Sequence, residues 1–207
     1  EFAGIGPPRL VPMSAHDALP PAAPSAGPSV VCIGVFDGVH RGHQALLAEA
    51  RAVADGLGLP LTALTFDPHP MSVVGPRSAP TSLASLAHRI DLLRAAGADE
   101  VYVLPFDETT AALAPEEFAR RVLADRLGAR AIVVGEDFRF GRQAAGSVTM
   151  LAALGPELGF SVHSVALAGD VSERWSSTRT RALVESGDVR AIAVLSLTMV
   201  AITTVVI

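Results

Sequence analysis

The stretch VVCIGVFDGVHRGHQALLAEARAV, residues 30–53, predicts a strand, a glycine-rich turn and a helix in immediate succession. Its first four residues are apolar and typical of a short buried strand, whereas residues 45–53 carry apolar side chains at helical spacing. In an open α/β sheet, ligands bind at the carboxyl ends of the strands, where such turns lie. Because backbone N–H groups at a helix N-terminus favour anions, the stretch predicts an anion-binding site between strand and helix.

Two histidines in this turn add chemistry to the geometry. His40 and His43 are three residues apart, so a first helical turn would place them on one face. Gly42, between them, leaves room for a phosphate to approach the backbone. Two imidazoles can donate hydrogen bonds to phosphate oxygens, and more strongly as charge builds up in a transition state. The alternative is a helix cap with exposed histidines, or one histidine bonded into the core, but the flanking strand and helix favour phosphate binding.

The composition narrows the classes of function. The chain has 207 residues, half of them hydrophobic, which is enough for one α/β domain with a core. A net charge of −5 disfavours nucleic acid as a partner. Lysine is absent, so arginine, histidine, hydroxyl and backbone N–H groups would have to bind any phosphates. The single cysteine, Cys32, excludes an intramolecular disulfide and is expected in the core, since it lies in the apolar run.

We expect one folded domain over residues 30–190. Residues 1–29 are rich in proline, alanine, glycine and serine and are expected to form a disordered lead-in. Residues 191–207 form an uncharged, β-branched tail whose hydroxyl residues disfavour a membrane anchor. Since nothing in the sequence resembles a secretory signal, the cytoplasm is the expected location, and no membrane partner is expected.

Strand and helix patterns alternate along the rest of this domain. Further strands are predicted at residues 59–66, 99–104, 131–134 and 160–165, and helices at 82–94, from 115 to 128 and at 147–158. This alternation predicts a doubly wound parallel five-stranded sheet, with helices on both faces and right-handed crossovers. His88 and Arg89, in the helix over 82–94, are expected on its solvated face.

Three further segments carry polar groups next to predicted strand or helix ends. Residues 67–70 (DPHP) follow the second strand and can neither continue it nor start a helix at once, which predicts a loop to about Thr81. Residues 135–142 (GEDFRFGR) follow the fourth strand. They form either a loop anchored by its phenylalanines or a nucleotide-binding loop that offers Arg139 or Arg142 to an anion. Residues 174–181 (RWSSTRTR) predict either a capped surface helix or a second phosphate site at a helix start.

Four of these segments together resemble one family. GVFDGVHRGHQALL (34–47), FDPHP (66–70), GEDFRFG (135–141) and SSTRTR (176–181) are similar to the motifs of the FAD synthetase module of bacterial bifunctional riboflavin kinase/FAD synthetases, which are HxGH nucleotidyltransferases. The resemblance implies a Rossmann-like nucleotidyltransferase fold. It also implies that AMP passes from ATP to FMN, giving FAD and pyrophosphate, with Mg²⁺ carried mainly by the phosphates. The family's fused riboflavin kinase domain is expected to be missing, because the resemblance stops after Val189.

The resemblance assigns roles to individual residues, none of them a metal ligand. The expected catalytic residues, which would hold the ATP phosphates and stabilise the leaving pyrophosphate, are His40, His43, Ser177, Thr178 and Arg181. The expected nucleotide-binding residues are Gly34, Phe36, Asp37, Gly38, Gly42, Asp137 and Arg174. The expected flavin-binding residues are Asp67, Pro68, His69, Pro70, Phe138 and Arg139. Asp137 stands where asparagine is expected, and an ionised aspartate accepts hydrogen bonds but cannot donate them.

Two alternative functions stay open. Another HxGH transferase would act on a phosphopantetheine, on nicotinamide mononucleotide or on a cytidylyl acceptor, although FDPHP and GEDFRFG favour flavin. A non-catalytic flavin- or nucleotide-binding domain would bind FMN or ATP without releasing pyrophosphate.

Overall fold

A parallel sheet forms the centre of the molecule. The computed structural model describes residues 27–75 and 81–166. Its strands are β1 (Ser29–Ile33), β2 (Leu61–Asp67), β3 (Glu100–Pro105), β4 (Ala129–Gly135), β5 (Arg139–Phe140), β6 (Gly146–Ser147) and β7 (Ser161–Val165). Five of these strands pair in parallel in the order β3-β2-β1-β4-β7, and β5 and β6 form a separate antiparallel pair.

Helices connect the strands and cover both faces of the sheet. They are α1 (Arg41–Leu57), α2 (Pro70–Val74), α3 (Leu86–Ala95), α4 (Glu108–Ala112), α5 (Pro115–Glu117), which continues as a π-helical segment over Phe118–Arg126, and α6 (Val148–Leu158). A short 3₁₀ turn, Arg142–Ala144, lies between β5 and β6. In the described ranges, every helix is too short or too polar to cross a bilayer.

Two buried clusters show which helices pack on which face. Val30 and Cys32 of β1 pack with apolar residues of α1 and α3, whereas Val31 and Ile33 pack with the segment after α5 and with α6. Successive strand residues point to opposite faces, so this alternation follows from the pleat. The predicted core position of Cys32 is confirmed, and burial raises the pKa of its thiol well above the ordinary range.

The predicted doubly wound, five-stranded parallel sheet is confirmed. The chain runs from β1 outward to β3, and then returns to β4 on the other side of β1. The strand order therefore reverses between β1 and β4, and open α/β sheets bind ligands in the crevice outside the strand ends at such a point. Residues 34–40, 68–70 and 136–138 follow the carboxyl ends of β1, β2 and β4, which lie at one edge of the sheet.

Several local elements differ from the predictions. Strand β1 begins at Ser29, a residue that we expected in the lead-in, and its buried hydroxyl donates to the Leu127 carbonyl at 2.8 Å. Helix α2 begins directly at Pro70, where we predicted a loop, because proline suits the first helical position and His69 caps the helix. Helix α4 and the β5–β6 hairpin were not predicted, since pieces of two to five residues show no periodicity.

Helix α3 also differs from its prediction. It begins at Leu86 rather than at residue 82, because the Ser85 hydroxyl accepts from the backbone N–H of His88 and caps the helix there. The predicted solvated face for Arg89 is wrong: its side chain is buried. The expected lead-in over 1–26 and the expected tail over 191–207 lie outside the described residues.

Candidate functional site

The loop after β1 has an unusual backbone. Phe36, Gly38 and Val39 have φ values of 54°, 77° and 39°, in the left-handed region. For a residue with a side chain such a conformation costs on the order of 1–3 kcal/mol, and it persists only where the surroundings enforce it. Phe36 and Val39 are both completely or almost completely buried, so packing enforces the conformation here. Strain of this kind is concentrated at ligand sites.

Two glycines in this loop are required by contacts. A Cβ at Gly34 would lie 2.9 Å from the ring of Phe36. A Cβ at Gly38 would lie 3.1 Å from the side chain of Leu83, at a backbone conformation that already favours glycine. Both glycines therefore let the loop fold back tightly over the strand end.

The two histidines are brought together, as their spacing predicts. His40 is the N-cap residue of α1 and His43 lies in the first turn, with ring centroids 3.7 Å apart and planes 19° apart. The rings of His43 and Phe36 also meet in a T-shaped contact, at a centroid distance of 5.2 Å. Gly42, between the histidines, is buried in the same turn. The strained loop and the helix start thus form one packed unit.

Each of these imidazoles has an unsatisfied nitrogen. The Nδ1 atoms of His40 and His43 are both buried, and neither has a hydrogen-bond partner in the part of the chain that the structure describes. A buried polar atom without a partner costs about 1–3 kcal/mol, so native proteins keep few of them. Two such atoms on stacked rings at a helix start indicate a place where a ligand completes the hydrogen bonding.

The histidines are neutral at physiological pH. Burial lowers the pKa of His40 to about 4, although the nearby charge of Asp37 partly opposes this effect. Burial also lowers the pKa of His43 well below its ordinary value, and the proximity of His40 lowers it further. A neutral imidazole carries one N–H donor and one acceptor nitrogen. The pair therefore offers hydrogen bonds to an anion without bringing a fixed positive charge.

The start of α1 is suited to an anion. The His40 side chain makes no capping hydrogen bond, and no acidic residue lies in the first turn. The N–H groups of a first helical turn have no partner within the helix, and the helix dipole makes this end electropositive. α1 has 17 residues and its N-terminus lies beside the point where the strand order reverses. The predicted strand, turn and helix start are therefore present, and anion binding there stays a prediction.

Asp37 ties the loop to the segment before α3. Its Oδ1 accepts hydrogen bonds from the backbone N–H groups of Leu83, at 2.9 Å, and Ala84, at 3.3 Å. The carboxylate is buried, and these bonds are a structural function that the sequence did not predict. Its expected place in a nucleotide pocket stays a prediction.

The loop after β2 is organised by His69. Its Nδ1 accepts from the Met71 backbone N–H at 3.1 Å, which caps α2. Pro68 is exposed and Pro70 is half-buried at the first position of that helix. Two apolar side chains of α2, Met71 and Val74, are exposed beside this loop.

The loop after β4 is anchored by its aromatic residues, which is one of the two alternatives that its sequence left open, and its nucleotide-binding role stays a prediction. Phe138 stacks on Phe140, with centroids 5.6 Å and planes 10° apart, so the aromatic residues do anchor the segment. The side chains of Asp137, Arg139 and Arg142 are exposed. A charged ligand at this edge would therefore find these groups accessible.

Arg89 joins the first two loops. Its Nη1 donates to the carbonyl oxygens of Val35, at 3.1 Å, and Phe66, at 3.2 Å, and its Nη2 pairs with the Asp67 carboxylate at 3.4 Å. Sequence reasoning missed this residue. The available signal was spacing, because Arg89 shares a face with the buried Leu92 and Leu93 at three and four residues.

Part of the predicted site cannot be placed against these loops. Arg174, Ser177, Thr178 and Arg181 lie outside the described residues. In the described ranges, no group of three or more histidine, cysteine, aspartate or glutamate side chains could hold a metal ion.

Comparison with known proteins identifies relatives. The family model described as FAD synthetase matches residues 22–179. A bifunctional riboflavin kinase/FMN adenylyltransferase from Pseudomonas fluorescens is 38% identical over 159 residues, which cover 77% of this chain and 51% of that protein. A putative bifunctional riboflavin kinase/FMN adenylyltransferase from Geobacillus thermodenitrificans is 40% identical over 161 residues, covering 77% of this chain and 84% of that protein.

A solved structure shares the fold. The crystal structure of Macrolide-efflux Protein from Streptococcus pneumoniae matches with a TM-score of 0.73 and 29% identity, over 83% of this chain and 55% of that one. The chain thus spans about half the length of the first curated relatives that it matches.

Proposed function

Because the chain belongs to the FAD synthetase family, we propose that it transfers the adenylyl group of ATP to the phosphate of FMN, giving FAD and pyrophosphate. One observation carries the proposal beyond family membership. It is the stacked, neutral pair His40 and His43 at the N-terminus of α1, each with a buried Nδ1 that has no hydrogen-bond partner among the described residues. This arrangement suits the phosphates of a nucleotide.

The reaction needs little acid–base chemistry. A phosphate oxygen of FMN forms a bond to the α-phosphorus of ATP, while the bond from that phosphorus to the bridging oxygen of pyrophosphate breaks. The attacking oxygen is already anionic at neutral pH, so no general base is required. Catalysis then consists of positioning the two phosphates and stabilising the charge that develops between them.

The neutral imidazoles fit this role. An N–H from His40 or His43 would donate to oxygens of the ATP phosphates. The negative charge of ATP would also favour the protonated imidazoles and raise the low pKa values caused by burial. Hydrogen bonds to the triphosphate therefore strengthen as charge builds up on the oxygen that leaves with pyrophosphate.

The other residues have supporting roles in the proposal. Ser177, Thr178 and Arg181 would bind the leaving pyrophosphate, with Arg174 beside them. The backbone of the loop after β1, from Gly34 to Gly38, would form the adenosine pocket together with Asp137. The flavin would lie over the loop after β2, where Asp67, Pro68, His69 and Pro70 meet the exposed apolar residues of α2, and against Phe138 and Arg139.

Mg²⁺ enters as part of the substrate. The described residues offer no cluster of side chains for a resident ion, whereas the phosphate oxygens of ATP bind Mg²⁺ directly. The transferase domain in this proposal runs from Ser29, where β1 begins, to about residue 190. The matched relatives are named riboflavin kinases as well, and we propose that a reaction of that kind supplies the FMN.

The direct test is to incubate the chain with ATP, Mg²⁺ and FMN and to detect FAD and pyrophosphate by chromatography. We expect FAD formation that depends on both ATP and FMN. Binding of FMN with no pyrophosphate released would instead support a non-catalytic binder. A thermal-shift panel with FMN, nicotinamide mononucleotide and phosphopantetheine separates the acceptors, and stabilisation by either of the last two but not by FMN would contradict the proposal.

A further inference from the structure

We propose that Arg89 is a positioning residue that holds the ATP loop, residues 34–40, and the flavin loop, residues 67–70, in one fixed relative geometry. The inference rests on the proposed function, because the two loops carry the residues assigned to ATP and to FMN. Arg89 itself contacts neither substrate in this proposal. It acts on both sites through the backbone at the end of each strand.

The contacts of Arg89 bridge the starts of both loops. The Val35 carbonyl directly precedes the strained Phe36, and it accepts from both Arg89 Nη1 and the Thr65 hydroxyl, at 3.1 and 2.9 Å. The Phe66 carbonyl and the Asp67 carboxylate stand at the end of β2, and both accept from the same guanidinium. One rigid, planar group thus fixes the carboxyl ends of two neighbouring strands.

The site of Arg89 is not built for stability. The Arg89 side chain is 7% exposed, whereas the side chain of its partner Asp67 is 47% exposed. The guanidinium is therefore desolvated, but the carboxylate that pairs with it remains largely in contact with water. The Nε atom of Arg89 is buried without a partner in the described part of the chain. An apolar side chain of similar length would avoid the desolvation of a charge at this place. Holding two loops together is what the arginine adds.

The segment that leads into α3 makes a second connection to the same loop. Asp37 accepts from the backbone N–H groups of Leu83 and Ala84, immediately before the helix. The ATP loop is therefore fixed both to the segment before α3 and to Arg89 in the helix, and Arg89 extends that connection to the flavin loop. A ligand that orders one loop then orders the other, so ATP and FMN should bind cooperatively.

The test measures this cooperativity in wild type and in three variants. Arg89→Met removes the hydrogen bonds and keeps the length of the side chain, Arg89→Lys keeps the charge, and Arg94→Met in the last turn of the same helix is the control. Dissociation constants of FMN are measured by calorimetry with and without a non-hydrolysable α,β-methylene analogue of ATP, which prevents turnover. Steady-state FAD formation gives kcat and KM.

We expect the analogue to tighten FMN binding to the wild type by about tenfold, within the usual range of coupling between sites. Arg89→Met should reduce this coupling factor to about one and should raise KM for FMN more than it lowers kcat. Arg89→Lys should keep part of the coupling, and Arg94→Met should keep all of it. A structural role alone would lower the melting temperature and leave the coupling unchanged, which would overturn the proposal.

The outcomes separate this inference from the proposed function. A wild type that binds both ligands without coupling overturns the positioning role and leaves FAD synthesis intact. A wild type that binds neither ligand overturns the proposed function, and this inference with it. If Arg89→Met does not fold, Arg89→Lys is the variant that tests the proposal. The ATP analogue must then tighten FMN binding less in Arg89→Lys than in Arg94→Met, and equal factors would overturn the proposal.

Discussion

The two edges of the sheet are built in opposite ways. At the carboxyl edge, Phe36 and Val39 hold strained conformations, and His40 and His43 bury nitrogen atoms without partners in the described chain. At the amino edge, Arg51 at α1 donates to the carboxylates of Asp55, at 2.9 Å, and Asp99, at 2.6 Å. The carboxyl edge thus contains imidazole nitrogen atoms without partners in the described residues, whereas Arg51, Asp55 and Asp99 are paired at the amino edge.

The amino edge also ties three elements together. The carboxylate of Asp99 accepts from the backbone N–H of Leu61 at 2.7 Å, and Arg51 reaches the Leu59 carbonyl at 3.4 Å. These contacts connect the end of α1 with the starts of β2 and β3. The contrast teaches that this fold keeps its unfavourable features where a ligand can relieve them. Substitutions at the carboxyl edge should therefore cost activity, and those at the amino edge should cost stability.

His43→Ala should show the largest effect at the carboxyl edge. It removes a donor from the ATP phosphates, and losing one such hydrogen bond lowers kcat by about 10²–10³-fold. The fold should survive the lost ring contacts with His40 and Phe36, because His43 as a residue is only half-buried and its Nδ1 has no hydrogen-bond partner in the described residues. The measurement is FAD formation by chromatography beside thermal unfolding. A wild-type rate in the purified, folded variant would show that His43 does not have this role.

Gly34→Ala tests whether the strained loop depends on packing. The new Cβ would lie 2.9 Å from the ring of Phe36, which is completely buried. Overpacking of this kind costs about 1–3 kcal/mol, and the displaced loop should also lower kcat/KM. Urea unfolding and FAD formation measure the two effects.

Gly56→Ala is the matched control for that substitution. Gly56 lies in α1, and a Cβ there meets nothing within 4 Å. Since alanine favours a helix more than glycine does, this variant should gain about 0.5–1 kcal/mol and keep full activity. Equal losses in both variants would mean that the Phe36 contact is not the cause.

Much of this fold was predictable because the signals are local. The apolar run 30–33 and the helical spacing after it gave β1 and α1, and their spacing alone placed His40 and His43 on one face. The strand–helix alternation then predicted a parallel sheet, since short connections and right-handed crossovers leave few other topologies.

The remaining features depend on contacts between distant segments. Arg89 was expected in solvent because arginine rarely lies in a core, and its burial depends on carbonyls 23 and 54 residues away. The positive φ at Val39 has no sequence signal, since β-branched residues avoid that region unless packing imposes it. A two-residue strand such as β5 carries too few residues for any periodicity.

His40→Asn should change how stability depends on pH. The pKa of His40 is about 4 in the folded protein, against an ordinary value of 6.5. The unfolded chain therefore takes up a proton below pH 6.5 while the folded protein does not, so stability falls between pH 6.5 and 4. Asparagine does not titrate, and the loss between pH 7.5 and 4.5 should be smaller by about 2 kcal/mol. Urea titrations at both pH values measure it, and equal losses in wild type and variant would contradict the buried neutral state.

Asp99→Asn should show the smallest effect, and in stability rather than in activity. Burial alone would raise the pKa of Asp99, but the Leu61 backbone N–H and the Arg51 guanidinium outweigh it and hold the pKa below its usual range. The carboxylate therefore stabilises the fold above its ordinary pKa, and this contribution disappears as pH falls through the lowered value. Because the side chain is half exposed, screening limits the loss of unfolding free energy at pH 7 to about 1 kcal/mol or less.

Asp55→Asn is the control, because Asp55 is a more exposed partner of Arg51 and its substitution should lower the unfolding free energy even less. Both variants should form FAD at the wild-type rate. A fall in kcat for Asp99→Asn at unchanged stability would contradict the contrast, because a substitution at the amino edge would then affect activity and not stability.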